Sequence, residues 1–233
     1  MSALHLVPAE MQSAYHDQAT DILKFAYQAQ GQRALESTKR CAAIHEAGHC
    51  VVNTITAGGM FWPPAMTRIW RHPVKGMTVW LGNTEPPKNA PPLRVDARED
   101  VTGYMILAVR TLGGVVAEML FDGGDYRIGS SVDEWVVAGG CARALADVGA
   151  FPSAEAAMHQ LLMTTSNMLT ANASTVHAIA TALQQRRKVE GMELAGLLKS
   201  VVMDPLNPDH HHAKEGSSFK AHRQCVIKVI TIF

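Results

Sequence analysis

Apolar side chains recur at helical spacing along most of this chain and alternate with polar ones in two short runs. Residues 1–36 carry only weak helical periodicity, at Ile22, Phe25 and Ala26. From Ser37 the pattern sharpens: Ala42, Ile44, Ala47, Val51, Val52 and Ile55 mark one helical face, and Gly58-Gly59 supplies its stop. Met66–Arg71 and Met77–Leu81 alternate as strands do, with His72-Pro73-Val74-Lys75-Gly76 between them as a hairpin-type turn. Pro86, Pro87, Pro91 and Pro92 mark a stiff loop, and Asp96 is placed to cap a helix whose apolar face includes Val101, Met105, Leu112, Val116 and Leu120. Asp122-Gly123-Gly124-Asp125 breaks that helix. Another starts near Ser130-Ser131 and runs through Trp135, Val136, Cys141 and Leu145. Beyond Phe151-Pro152-Ser153 the periodicity predicts a helix over 153–184, with a break near Asn172, and a last one after Gly191. The segment from Pro205 is polar and ends in a β-prone apolar run at 224–233. The expected fold is mainly α with one small sheet, an α+β class. It comprises an N-terminal helical extension (1–36), a central domain (37–204) and a loosely ordered tail (205–233).

Composition narrows the function classes. With 21 Lys+Arg against 21 Asp+Glu, the formal charge of the 233-residue chain is zero, which argues against binding nucleic acid by phosphate neutralisation. Aromatics at 6% argue against a base-stacking platform. Cysteines at 41, 50, 141 and 225 form no C-x-x-C pair, so neither a zinc finger nor a disulfide framework is expected, and free thiols fit a reducing compartment. The N-terminal residues lack a basic cluster followed by an apolar run. The apolar stretch 104–121 carries Arg110, Glu118 and Gly113-Gly114, so no membrane span is expected. A soluble cytoplasmic protein is the resulting expectation.

The chemistry concentrates at His45-Glu46-Ala47-Gly48-His49. Two histidines four apart share one face of a helix, so both imidazoles can reach a single cation, and neutral imidazole suits Zn²⁺. Glu46 lies beside such an ion rather than on it, where it can take a proton from water and pass it to a leaving amine. With 11 His and 11 Glu in the chain, random placement yields about 0.02 such matches. Gly48 inside a helix costs about 1 kcal/mol of propensity, which points to a backbone packed closely against it. A catalytic zinc needs a third protein ligand and an open position. Spacing does not choose it: His72, Glu118, Asp122, Asp125, Asp133 and Glu134 are all candidates.

Several segments in order carry a resemblance. They are Ala43 through Val52 around the histidines, Thr67-Arg68-Ile69 through Val79, Leu112-Gly113-Gly114 through Phe121, Gly129-Ser130-Ser131-Val132-Asp133, and Val189-Glu190-Gly191-Met192-Glu193-Leu194. Over about residues 37–203 they resemble the peptidase domain of the FtsH family of zinc metalloproteases. The resemblance implies that Asp133 completes a zinc shell with His45 and His49. Glu118 then accepts an imidazole N–H to orient a ligand. It implies a zinc metalloendopeptidase acting on unfolded or flexible polypeptides, with ring-like self-association as in the family. The family's ATPase module is not expected here, because about 36 residues precede the domain and the chain has no G-x-x-x-x-G-K-[ST] loop. An ATPase would be a partner in trans. Val115 replaces the family's arginine and Val132 its asparagine. A non-catalytic adaptor or regulator that keeps its zinc is the competing expectation, and the intact Glu46 favours the enzyme. Met77–Leu81 is expected as an edge strand that an extended peptide could join, with Trp70 and Trp80 as candidate cleft residues. His210-His211-His212 are left outside the site.

Overall fold

A computed structural model describes residues 12–58, 61–74, 76–90, 100–123 and 128–203. The 205–233 tail, Asp96 and Asp125 lie outside the described residues. The chain is mainly helical with a three-stranded antiparallel sheet, an α+β arrangement.

Helix α1 (Gln12–Gln30) buries Ile22 and Ala26, and a 3₁₀ turn (Gly31–Leu35) leads from it. Helix α2 (Lys39–Ile55) starts where the Thr38 side chain accepts a hydrogen bond from the Cys41 N–H. Strands β1 (Met66–Val74) and β2 (Met77–Glu85) are each longer than their alternation predicts. They pair from Met66 opposite Glu85 to Val74 opposite Met77. The turn is correspondingly tight, with Gly76 at φ 80°. Helix α3 (Val101–Phe121) is capped by Asp100, which accepts from the Gly103 N–H; Asp100 takes the capping role expected of Asp96 because it directly precedes the first helical turn. Helix α4 (Val132–Asp147) follows a 3₁₀ turn (Ile128–Ser131). Ser153 caps α5 (Ala154–Ala171), and Asn172 separates it from α6 (Ala173–Arg186).

One element escaped the hydrophobic pattern. Lys188–Glu190 forms a short strand, β3, antiparallel to β1, before helix α7 (Gly191–Leu198). Three residues with one buried side chain, Val189, give no periodicity to read. The sheet order is β2-β1-β3, so β2 is an edge.

Helix α2 is the hub. It packs on α3 and α6 on its helical sides and on β1 and β2 on the other. A single core joins Ile44, Val51, Leu112, Val116, Trp135 and Leu183, and Ile22 and Ala26 of α1 belong to it. By length and apolarity α3 is the one helix among the described residues that could cross a membrane, and just over half of its apolar window is buried inside the fold. Its apolarity is that of a central helix packed by α2, α4 and α5.

Candidate metal centre

The α2–α3 contact sets the site. A Cβ at Gly48 would overlap the Gly113 carbonyl oxygen and lie 2.5 Å from Ala117 Cβ, so only glycine lets the two helices approach this closely. Likewise, a Cβ at Gly114 would strike the His45 ring. The Gly113-Gly114 pair on α3 thus makes room for the histidine helix.

His45 and His49 stand one turn apart on α2, with their Nε2 atoms 3.1 Å from each other. Glu134, in the first turn of α4, brings Oε1 to 3.0 Å from His45 Nε2 and 2.7 Å from His49 Nε2. Its carboxylate also benefits from the positive end of the α4 dipole. The three side chains are 15–17% exposed.

Partners on the far side fix the tautomers. His49 Nδ1 lies 3.0 Å from the Arg110 carbonyl; a carbonyl only accepts, so Nδ1 carries the proton and Nε2 presents a lone pair. His45 Nδ1 lies 2.5 Å from Glu118 Oε1, a carboxylate that draws the proton to that nitrogen in the same way. Glu118 is 2% exposed, and its Oε2 accepts from the Cys41 thiol at 3.0 Å. Two lone pairs and a carboxylate oxygen therefore converge. Such atoms repel unless a positive charge sits among them. The other Glu134 oxygen, Oε2, is buried without a hydrogen-bond partner among the described residues. Separations of 2.7–3.1 Å come close to the roughly 3.3 Å edge of a tetrahedron drawn around an ion at 2.0–2.1 Å. The group can hold a metal ion.

The titration behaviour agrees with that demand for positive charge. Burial pushes the His45 imidazolium down, but the Glu134 and Glu118 carboxylates outweigh it and hold its pKa well above the ordinary value. Burial would raise Glu134; the two imidazoles override it and pull the carboxyl down to about 2.

Asp133, which the resemblance assigns to the metal, is not one of the three converging groups; its neighbour Glu134 is. Helix α4 begins at Val132, and successive residues on a helix point about 100° apart. At this register it is position 134 that faces the histidines. Of the other candidates, Asp122 accepts from the Arg40 guanidinium at 3.1 Å, and His72 is exposed on β1.

Glu46 is 4% exposed, and burial raises its pKa against the pull of His49, His45 and the Thr84 hydroxyl. It lies against β2: a Cβ at Gly82 would overlap its carboxyl group, and Thr84 donates to its Oε2 at 2.6 Å. Neither Gly82 nor Thr84 stood out in the hydrophobic pattern, although a glycine inside a strand is itself a sign of close approach. Arg110, whose carbonyl orients His49, donates its guanidinium to the Asn53 and Trp62 carbonyls and stacks over Phe61; burial lowers its pKa to about 10. It ties the segment after α2 to α3. Cys41, Cys50 and Cys141 are buried free thiols, and burial pushes Cys50 and Cys141 up to about 12.

The edge of β2 is shorter than its strand. The Ser37 N–H donates to the Thr78 carbonyl at 3.4 Å, and its carbonyl accepts from the Trp80 N–H at 3.1 Å. The alternation of the ladder turns the backbone groups of Gly82 and Thr84 to the same outer edge, next to Glu46. The run 77–81 expected to receive a peptide is thus largely occupied by Ser37. Trp70 lies on the outer face of the sheet, partly exposed, beneath the Arg68 guanidinium. Trp80 is flanked by Lys39 and Arg187 and lines a cleft of about 620 Å³ with Lys39, Arg71, Met77 and Thr78; no side chain of the metal centre lines that cleft.

No family model matches the chain, and no curated protein is significantly similar to it.

Proposed function

We propose that the protein is a zinc-dependent metallopeptidase, related to the peptidase domain of the FtsH family, that hydrolyses peptide bonds in unfolded or flexible polypeptides. One observation carries the reading: the lone pairs of His45 and His49 and an oxygen of Glu134 meet at one point, with the Glu46 carboxyl, beside His45 on the same helix, near enough to feel both imidazoles. Two imidazoles and one carboxylate are a donor set suited to Zn²⁺ with an open position. The order of the segments resembling the FtsH peptidase supports the same reaction class.

His45, His49 and Glu134 would hold the ion, which when bound lowers the pKa of a water to about 7 and polarises a scissile carbonyl. Glu118 and the Arg110 carbonyl keep both Nδ1 atoms protonated, so the Nε2 lone pairs stay directed at the site. Glu46 takes the proton of the attacking water and returns it to the leaving amine. A carboxyl whose pKa is raised by burial suits both halves of that transfer. The outer backbone groups of Gly82 and Thr84 can pair with an extended substrate beside Glu46. Such pairing reads backbone rather than side chains, so sequence selectivity is low.

The test is hydrolysis of casein or a quenched fluorescent peptide by the wild type, by Glu46→Gln and after chelation, with metal content measured in parallel. The expected result is activity in the zinc-loaded wild type, loss of at least about 100-fold in Glu46→Gln with zinc retained, and loss on chelation restored by Zn²⁺. Equal inactivity of wild type and Glu46→Gln, each holding one zinc, would overturn the peptidase reading in favour of a non-catalytic adaptor.

A further inference from the structure

We infer that Thr84 is a positioning residue for Glu46: its hydroxyl occupies one carboxylate oxygen and reserves the other for proton transfer. The inference rests on the peptidase reading for its kinetic consequence, while the hydrogen bond it invokes can be read without any reaction.

The Thr84 hydroxyl has three oxygens in reach. Glu46 Oε2 is at 2.6 Å, Thr67 Oγ1 at 3.0 Å and the Glu46 backbone carbonyl at 3.4 Å. A hydroxyl has one proton, and it goes to the nearest and most basic acceptor, the carboxylate. The Thr67 oxygen and the Glu46 backbone carbonyl are only alternative acceptors for that same proton. The register sets the place of Thr84 on the sheet. Thr67 and Thr84 sit directly opposite each other on β1 and β2, and Thr67 is fully buried. Both side chains lie on the face of the sheet that packs on α2.

Gly82 completes the arrangement. A side chain there would overlap the Glu46 Cγ, Cδ and Oε1, so the carboxyl lies flat against the β2 backbone two residues from Thr84. Clamped by a hydroxyl at Oε2 and lying over a glycine, Glu46 is held in one rotamer, and Oε1 is left as the proton-accepting atom. A general base must stay within hydrogen-bond reach of the proton it takes. A glutamate free to turn about three torsions would spend most of its time elsewhere.

The experiment compares Thr84→Val, Thr84→Ser and Thr67→Val with the wild type, in kcat, KM, zinc content and the infrared carboxyl bands that Glu46→Gln removes. The expected result is a kcat in Thr84→Val lower by about 10- to 100-fold, with KM within about twofold and zinc unchanged. The Glu46 band shifts in Thr84→Val, and Thr84→Ser restores both rate and band. Thr67→Val, which keeps the bond from Thr84 to the carboxylate, leaves the Glu46 band unshifted. An unshifted band and an unchanged kcat in Thr84→Val would overturn the inference, as would a fallen kcat that serine fails to restore. If Thr84→Val does not fold, Thr84→Ala takes its place under the same criteria. If the wild type hydrolyses nothing, the peptidase reading fails, and the band decides separately whether Thr84 holds Glu46.

Discussion

Substituting Gly48 by alanine puts the geometry of the α2–α3 contact to a quantitative test. On an open helix the change is favourable by about 1 kcal/mol, because alanine has the higher propensity. Here the new methyl would overlap the Gly113 carbonyl oxygen, and Ala117 Cβ would stand 2.5 Å from it. Ordinary contact begins near 3.4 Å, so the helices must part by about 1 Å. Overpacking of this kind costs about 1–3 kcal/mol, and more when backbone on both sides resists. The net expectation is destabilisation by roughly 2 kcal/mol, or about 4–8 °C in Tm for a chain of this size. The same parting stretches the bonds from His45 to Glu118 and from His49 to the Arg110 carbonyl, both of which cross this contact. Loss of such orienting partners weakens metal binding by about 10- to 100-fold. Gly140, in α4, is the matched control: a Cβ there meets nothing within 4 Å, so Gly140→Ala is expected to stabilise by about 0.5–1 kcal/mol. Thermal melts and zinc competition against a chelator read both effects. A Gly48→Ala variant as stable as Gly140→Ala, with wild-type zinc affinity, would refute the close approach.

The remaining predictions concern the site itself. Glu134→Gln is expected to lower zinc affinity by more than about 100-fold while Asp133→Asn retains it, measured by competition titration; the reverse outcome would return the ligand role to Asp133. Gly114→Ala and Gly82→Ala are expected to separate two functions. The first displaces the His45 ring and lowers zinc content, whereas the second displaces the Glu46 carboxyl and lowers kcat with zinc retained. Metal analysis beside steady-state kinetics distinguishes them, and equal effects on both readouts would contradict the placement.

The histidine pair was legible in the sequence because helical periodicity alone aligns residues four apart: nothing beyond α2 itself is needed to set His45 and His49 on one face. The same local logic gave the hairpin alternation, the break at Asn172 and the glycine inside α2 as a mark of close packing. The cap of α3 was not legible in the same way, since several carboxylates precede the helix and only the first-turn geometry selects Asp100. Three features lay beyond local pattern. The third converging group is one of two adjacent carboxylates, and the start of α4 decides between them by turning Glu134 toward the histidines. The strand β3 is too short to show alternation and exists through its pairing with β1. The contact of Gly82 and Thr84 with Glu46 joins residues 36 and 38 positions apart. Periodicity encodes which side of an element is buried. Which atoms from different elements meet is fixed by helix register, interhelix distance and strand pairing, and those quantities exist only once the chain is packed.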